Sequence, residues 1–389
     1  MPQFADHIER IVQAMSIKYN NMVYEMKANG IDIIVLSLGE AFFDIPLFHF
    51  DDLPYPALYH YSHSRGVQEL RKKLAQYYTH QYSVNVNPDE EIIVTAGSKI
   101  AIHMAFMAIL NPGDEVIIHE PAWVSYPEQV RLCHGIPVLV PYHETIMDLG
   151  KYVTSRTKVI VLNNPHNPRG YVAWEAEIEY LHELAKMRDI FLLADEAYSD
   201  FLLNPDEFIS CGWFDSQKKH TIICNSMSKN YGMSGWRIGY IISNPELIAH
   251  ILKINQHLIT CPSTILEFYL AKHFDDILSI TKPQIRDVVE KRSAIASFMD
   301  SLEMRYLPGS ATFYFFVSIE QSRLRSEEFC TRLLDEYHVS TVPGLGYGES
   351  CDRHIRVSVG TESMERTLHG IRMIKELISK TSEDSGAAQ

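Results

Sequence analysis

From residue 91 to residue 242 the chain repeats one pattern: a short apolar run, a turn, then a longer stretch. The runs cover 91–95, 115–118, 158–162, 190–194, 221–224 and 238–242. Most are apolar without alternation, which marks strands buried on both faces. Between them, 100–110 is an apolar helix and 175–188 has amphipathic helical spacing. Asn111-Pro112-Gly113-Asp114 is a turn by composition. Short buried strands separated by helices predict an α/β fold, a mainly parallel sheet with helices on both faces.

The flanks read differently. Ile8, Ile11, Val12, Met15, Met22 and Met26 have helical spacing, so 7–28 is expected to be a helix, with Gly30 as its C-cap. A strand is expected over 31–36 and a helix from Gly66 to about Gln81, while 42–61 is rich in aromatics and has neither period. Past Pro245 the expected order is helices at 247–259, 263–274 and 282–302, a strand at 312–317, a helix at 326–336, a strand at 354–359, a helix at 364–378 and a frayed tail at 383–389. This predicts a smaller α+β domain. The expected division is a large domain over 46–280 and a small domain built from 1–45 and 281–389.

Composition excludes several classes. The 389 residues are 46% hydrophobic and 22% charged, enough apolar surface to offset the entropy of ordering a core. With 35 basic and 49 acidic residues the net charge is −14, which repels a phosphate backbone, so nucleic acid is not an expected partner. No apolar run approaches ~18 residues, so no membrane helix is expected. The first ten residues include Asp6, Glu9 and Arg10 and do not read as a secretory signal. The six cysteines form no CxxC pair, which fits reduced thiols in a cytoplasm. Two motifs carry no chemistry. Gly344-Leu345-Gly346-Tyr347-Gly348 precedes a strand and lacks the glycine spacing of a nucleotide loop, and His60 and His63 lack a ligand partner, so no metal is expected.

The informative stretch is 226–240, which includes Ser226, Ser228, Lys229 and Arg237 and directly follows a strand. In α/β sheets ligands bind beyond the carboxyl ends of strands. Two hydroxyls and an arginine suit a phosphate. A lysine desolvated beside a second cation becomes a nucleophilic amine. A lysine next to a phosphate clamp points to a Schiff base with a phosphorylated aldehyde, pyridoxal 5′-phosphate.

That reading makes four further demands. Asp195 follows the apolar strand 190–194 and supplies an anion for a pyridinium nitrogen, with Tyr198 three residues on as a donor to the ring's phenolic oxygen. Asn167, in a proline-fixed turn after another strand, is a second donor to that oxygen. Trp123 offers an aromatic face for the ring. Gly97, Ser98 and Lys99 stand at a strand-to-helix turn, where backbone N–H groups attract an anion. Arg356, on the strand at 354–359, suits a substrate carboxylate.

The order of these motifs, from about Val35 to Ile374, resembles the class I/II aminotransferases, pyridoxal-phosphate enzymes of fold type I. The resemblance implies a seven-stranded-type sheet with a smaller α+β domain. It implies Lys229 as the Schiff-base lysine and catalytic base, Asp195 and Tyr198 beside it, and Ser226 and Arg237 on the phosphate. It places Asn167 and Trp123 on the cofactor, and Gly39 and Arg356 on the substrate. It implies a homodimer in which Tyr61 reaches the phosphate of the neighbouring subunit. The implied reaction moves an amino group between an L-amino acid and a 2-oxo acid. The same cofactor also serves elimination, cyclisation and oxidation, and a cofactor-free regulatory relative is a third possibility, against which intact Lys229, Asp195 and Arg237 argue. Arg169 stands where the family has threonine, and 39–61 and 137–164 are shorter than usual, which predicts a reshaped substrate pocket.

Overall fold

The computed structural model describes residues 4–6 and 8–382, so the expected tail at 383–389 lies outside the described residues. The central sheet is built from β2 (Ile92–Thr95), β3 (Glu115–His119), β4 (Ile136–Val140), β5 (Thr157–Asn163), β6 (Phe191–Asp195), β7 (Thr221–Ser226) and β8 (Gly239–Ile242). A short β1 (Ile34–Val35) precedes them in the chain. The spatial order is β2-β8-β7-β6-β5-β3-β4, with β8 antiparallel to both neighbours and the other pairs parallel. This is the mainly parallel seven-stranded sheet the resemblance implied.

Neighbouring residues along these strands go to opposite faces, as the pleat requires. In β3, Val116 and Ile118 pack into one buried cluster, with Ala101, Ala105 and Phe106 of α3 (Ser98–Ile109). Ile117 points the other way, into a cluster with Ile178, Leu181 and Ala185 of α5 (Glu175–Arg188). Each fully buried aliphatic side chain of this kind stabilises the fold by roughly 1.5–3 kcal/mol. α2 (Gln68–Tyr82) and the long α7 (Thr264–Ser301) share a third cluster with Val94, Ile223 and Tyr240 of the sheet.

After the sheet comes α6 (Pro245–Leu258), started by Asn244, whose side chain accepts from Leu247 N at 2.9 Å. A second sheet has the antiparallel order β11-β12-β9, from β9 (Tyr314–Ser318), β11 (Val342–Pro343) and β12 (His354–Ser358). β10 (Val339–Ser340) pairs in parallel with β1. α8 (Ser326–Tyr337) and α9 (Met364–Lys380) pack on these strands, and Tyr19, Ile34 and Leu36 from the start of the chain join the same cluster.

Four sequence expectations change. The first helix, α1, is Met15–Ala28, not 7–28: Ile8–Arg10 is a 3-10 turn, and Ile8 and Val12 are exposed with no core to pack against. The helices expected at 263–274 and 282–302 are one element, α7, with a local kink where His273 leaves helical angles (φ −103°, ψ 17°) and with Pro283 inside it. β4 was not anticipated: it is a sheet edge containing Pro137, a residue that weakens a strand reading. α4 (Tyr126–Leu132) was also missed, being too short for periodicity to show. Among the described residues no helix is long and apolar enough to cross a membrane.

Candidate active site

The carboxyl ends of β5, β6 and β7 place Asn163, Asp195 and Ser226 side by side. The ends are tied together. Asn163 Nδ2 donates to Asp195 O at 2.9 Å, and Asn163 Oδ1 accepts from Asn167 N at 2.6 Å, which fixes the turn carrying Asn167. A cavity of about 440 Å³ opens above these ends. Gly39, Ser98, Lys99, Trp123, Asn167 and Asp195 line it, as do Tyr198, Ser226, Ser228, Lys229, Arg237 and Arg356.

Lys229 is half-buried and lines this cavity, and its Nζ donates to Gly39 O. Burial pushes its amine down to about 8, with Arg356 and Arg237 acting in the same direction and Glu40 and Asp195 opposing. Asp195 is buried, and burial pushes its carboxyl up. Tyr126 OH donates to Asp195 Oδ2 at 2.6 Å and Ala197 N to Oδ1 at 3.2 Å. Tyr198 OH and Tyr314 OH are 2.9 Å apart.

The start of α3 and Arg237 form another part of the cavity. α3 begins at Ser98 with no capping side chain, so its first N–H groups keep their donor capacity. Gly97 has φ +93°, and a Cβ there would stand 2.2 Å from Arg237 Nη2. The positive φ favours glycine here, and any side chain would also push the Arg237 guanidinium out of its place. Arg237 Nη1 donates to Ser234 O at 2.8 Å and lies 3.4 Å from Ser228 Oγ. Lys99 Nζ sits 5.2 Å from the Trp123 ring centroid.

At the far wall Arg356, 4% exposed, stacks on Tyr314 at 4.7 Å, and its Nη2 donates to Ser37 O at 2.5 Å. No carboxylate pairs with it among the described residues. Gly39 fits beneath it: a Cβ there would be 3.2 Å from Tyr314 OH and 3.8 Å from Arg356 Nη1.

Two of the sequence candidates lie elsewhere. Tyr61 is 86% exposed and outside the cavity. Arg169 is not among its lining residues either: its Nε donates to Pro308 O at 2.9 Å and its guanidinium lies over Tyr171 at 4.6 Å. Sequence reasoning missed Tyr126, Tyr314 and Glu40. Tyr126 had a faint signal, standing three residues after Trp123, but its link to Asp195 is tertiary.

The profile of the family aminotransferase class I and II matches residues 56–371. The chain belongs to the class I and II aminotransferases. The aspartate aminotransferase of Pyrococcus abyssi is 31% identical, covering 92% of this chain and 95% of its own. A probable aspartate/prephenate aminotransferase of Aquifex aeolicus is 32% identical, covering 97% and 98%. The solved aspartate aminotransferase of Thermus thermophilus with maleate superposes with a TM-score of 0.88 at 29% identity, over 97% of this chain and 100% of that one. The class I and II fold therefore extends well beyond the profile match, over nearly the whole aminotransferase chain.

Proposed function

We propose that this aminotransferase uses pyridoxal 5′-phosphate, held covalently by Lys229 Nζ, to move an amino group between an L-amino acid and a 2-oxo acid. The observation that carries the reading is the placement of one half-buried amine, pushed down to about 8, in the same cavity as the buried Asp195 and as Arg356, which has no carboxylate partner among the described residues. The residues fit that cofactor. The uncapped start of α3, Ser226, Ser228 and Arg237 suit its phosphate, and the cradle at Gly97 has no room for a side chain. Asp195, buried and without an ion-pair partner among the described residues, suits a protonated ring nitrogen, whose charge restores the carboxylate. Trp123 offers the ring a face, and Asn167 and Tyr198 offer donors to its phenolic oxygen.

Bound there, the cofactor supplies a cationic ring that withdraws electrons from the substrate α-carbon. Arg356 grips the α-carboxylate with its planar fork. Lys229 Nζ, set free when the substrate's amino group takes its place on the cofactor, would take the α-proton and return it one position away. Ser37 O and Gly39 O hold the Arg356 guanidinium and the Lys229 amine on this wall of the cavity. A homodimer in which Tyr61 reaches the neighbouring site accounts for a tyrosine left so exposed outside its own cavity.

The test is borohydride reduction of the loaded enzyme followed by peptide mass analysis. The cofactor mass is expected on the peptide holding Lys229 and absent in K229A, with amino transfer down by at least ~10³-fold. A K229A protein that keeps the reduced adduct would overturn the assignment. Cycling between amino donor and oxo acid, followed by absorbance, separates transfer from elimination.

A further inference from the structure

The segment 60–67 holds Tyr61 out to solvent, yet its own backbone is bolted down. Ser62 N donates to Thr264 Oγ1 at 3.0 Å, and that hydroxyl donates to His60 O at 2.9 Å. Ser62 Oγ donates to Glu267 Oε2 at 2.7 Å, and Val67 N donates to Glu267 Oε1 at 3.1 Å. Asn255 Nδ2 holds Ser64 O at 2.8 Å. One carboxylate thus spans the loop from just after Tyr61 to its end.

Glu267 is 0% exposed and forms no ion pair among the described residues. Arg71 of α2 is the charged group that faces it, and that guanidinium is committed to Gly66 O and Asp89. β2 and α6 bring uncharged groups to this loop: Val94, whose N–H donates to Arg65 O, and Asn255 and Gln256, which donate to Ser64. A buried carboxylate with no cation is costly, and an apolar residue there would stabilise the helix packing more cheaply. The backbone is also pressed onto the carboxylate: Gly66 has φ +98°, and a Cβ there would stand 2.8 Å from Glu267 Oε1 and 2.6 Å from Val94 Cβ. A residue this expensive, whose two hydrogen bonds both go to a loop whose tip reaches into solvent, is there to set where that tip stands.

We infer that Glu267 is the positioning residue for Tyr61: by bonding Ser62 and Val67 together it fixes the point from which the Tyr61 hydroxyl reaches the cofactor phosphate of a second copy of this chain. This rests on the dimeric reading of Tyr61 above. Glu267 touches neither cofactor nor substrate in this scheme and acts through the loop alone.

The experiment is a double-mutant cycle on cofactor affinity in the full-length protein. Pyridoxal 5′-phosphate is titrated into cofactor-free wild type, Y61F, E267A and E267A/Y61F, with thermal midpoints measured alongside. Y61F is expected to weaken binding about tenfold or more, the effect of losing a hydrogen bond to a charged acceptor. E267A is expected to weaken it comparably, and E267A/Y61F to bind no more weakly than Y61F. E267Q can accept from Val67 N and donate to Ser62 Oγ, so it should stay within about threefold of wild type. If E267A does not fold, S62A in both backgrounds replaces it, with a smaller loss confined to the Tyr61 background. Equal weakening by E267A with and without Tyr61 would reduce Glu267 to a fold residue and overturn the inference, as would an unchanged affinity in E267A beside a weakened Y61F. An unchanged Y61F would instead remove the dimeric reading of Tyr61, and the inference with it.

Discussion

Lys229 shows how one environment sets a reaction's pH response. Burial holds its amine near 8 in the cofactor-free protein, against a usual value above 10. Only the neutral amine attacks an aldehyde, so covalent uptake of pyridoxal 5′-phosphate should slow about tenfold per pH unit below 8 and level off above it. Stopped-flow absorbance between pH 6 and about 9.5 checks this, once the cofactor's own ionisation is subtracted. Arg356 carries a second expectation. R356K keeps the charge and loses the fork, so kcat/KM for the amino donor should fall about 10–100-fold, with the change mainly in KM. Tyr126 carries a third: Y126F strips a buried carboxylate of a 2.6 Å hydrogen bond and should destabilise the cofactor-free protein by about 1–3 kcal/mol in chemical denaturation. Lys229, Asp195 and Arg237 were legible because each stands in a short motif at a strand end. Tyr126 and Tyr314 were not, because their partners Asp195 and Tyr198 lie 69 and 116 residues away.

At the scale of elements, the junction of β2 and α3 matters most. G97A must displace the Arg237 guanidinium and adopt a positive φ, so it should lower cofactor affinity at least ~10-fold while leaving the helix content unchanged. Equilibrium titration and far-UV circular dichroism read the two parts separately. The buried strands were plain in the sequence because they are short, apolar and bounded by turns. β4 escaped because an edge strand with Pro137 is only partly buried and lacks that signature. The breadth of α7 escaped for a different reason. A proline and a departure from helical angles at His273 look like a boundary, but Tyr269, Leu270, Phe274 and Ile277 keep one face in the core on both sides of the kink. Packing there overrides the local break.

For the molecule as a whole, the buried acids contribute to the pH response of stability, and His166, which burial pushes down to about 3, opposes them below pH 6.5. Glu196, tied to Ser210, Cys211 and Tyr78, is pushed up to about 7 by burial, and Glu267 likewise to about 7. A folded-state carboxyl raised above its unfolded value binds protons that the unfolded chain has already released. Its stabilising contribution is full below about pH 4.5 and lost as pH rises through 7. The part of the thermal midpoint these two acids contribute should therefore fall between pH 5 and about 8, so E196Q should lose less, or gain more, than wild type over that range. Topology of this order is where sequence reading was weakest and resemblance strongest. Apolar runs show that a sheet exists, but nothing local in Gly239–Ile242 says that this strand alone runs against its neighbours.

That reversed strand has a kinetic consequence. Because β8 sits between β2 and β7, the turn that ends in Arg237 arrives directly over Gly97. The two halves of the proposed phosphate cradle meet only when β2 and β8, distant in the chain, have paired, and such non-local pairing is slow. During refolding, helical signal should return first, and capture of pyridoxal 5′-phosphate only when the last strand has entered the sheet. The cofactor would then serve as a chromophore that reports completed topology rather than collapse.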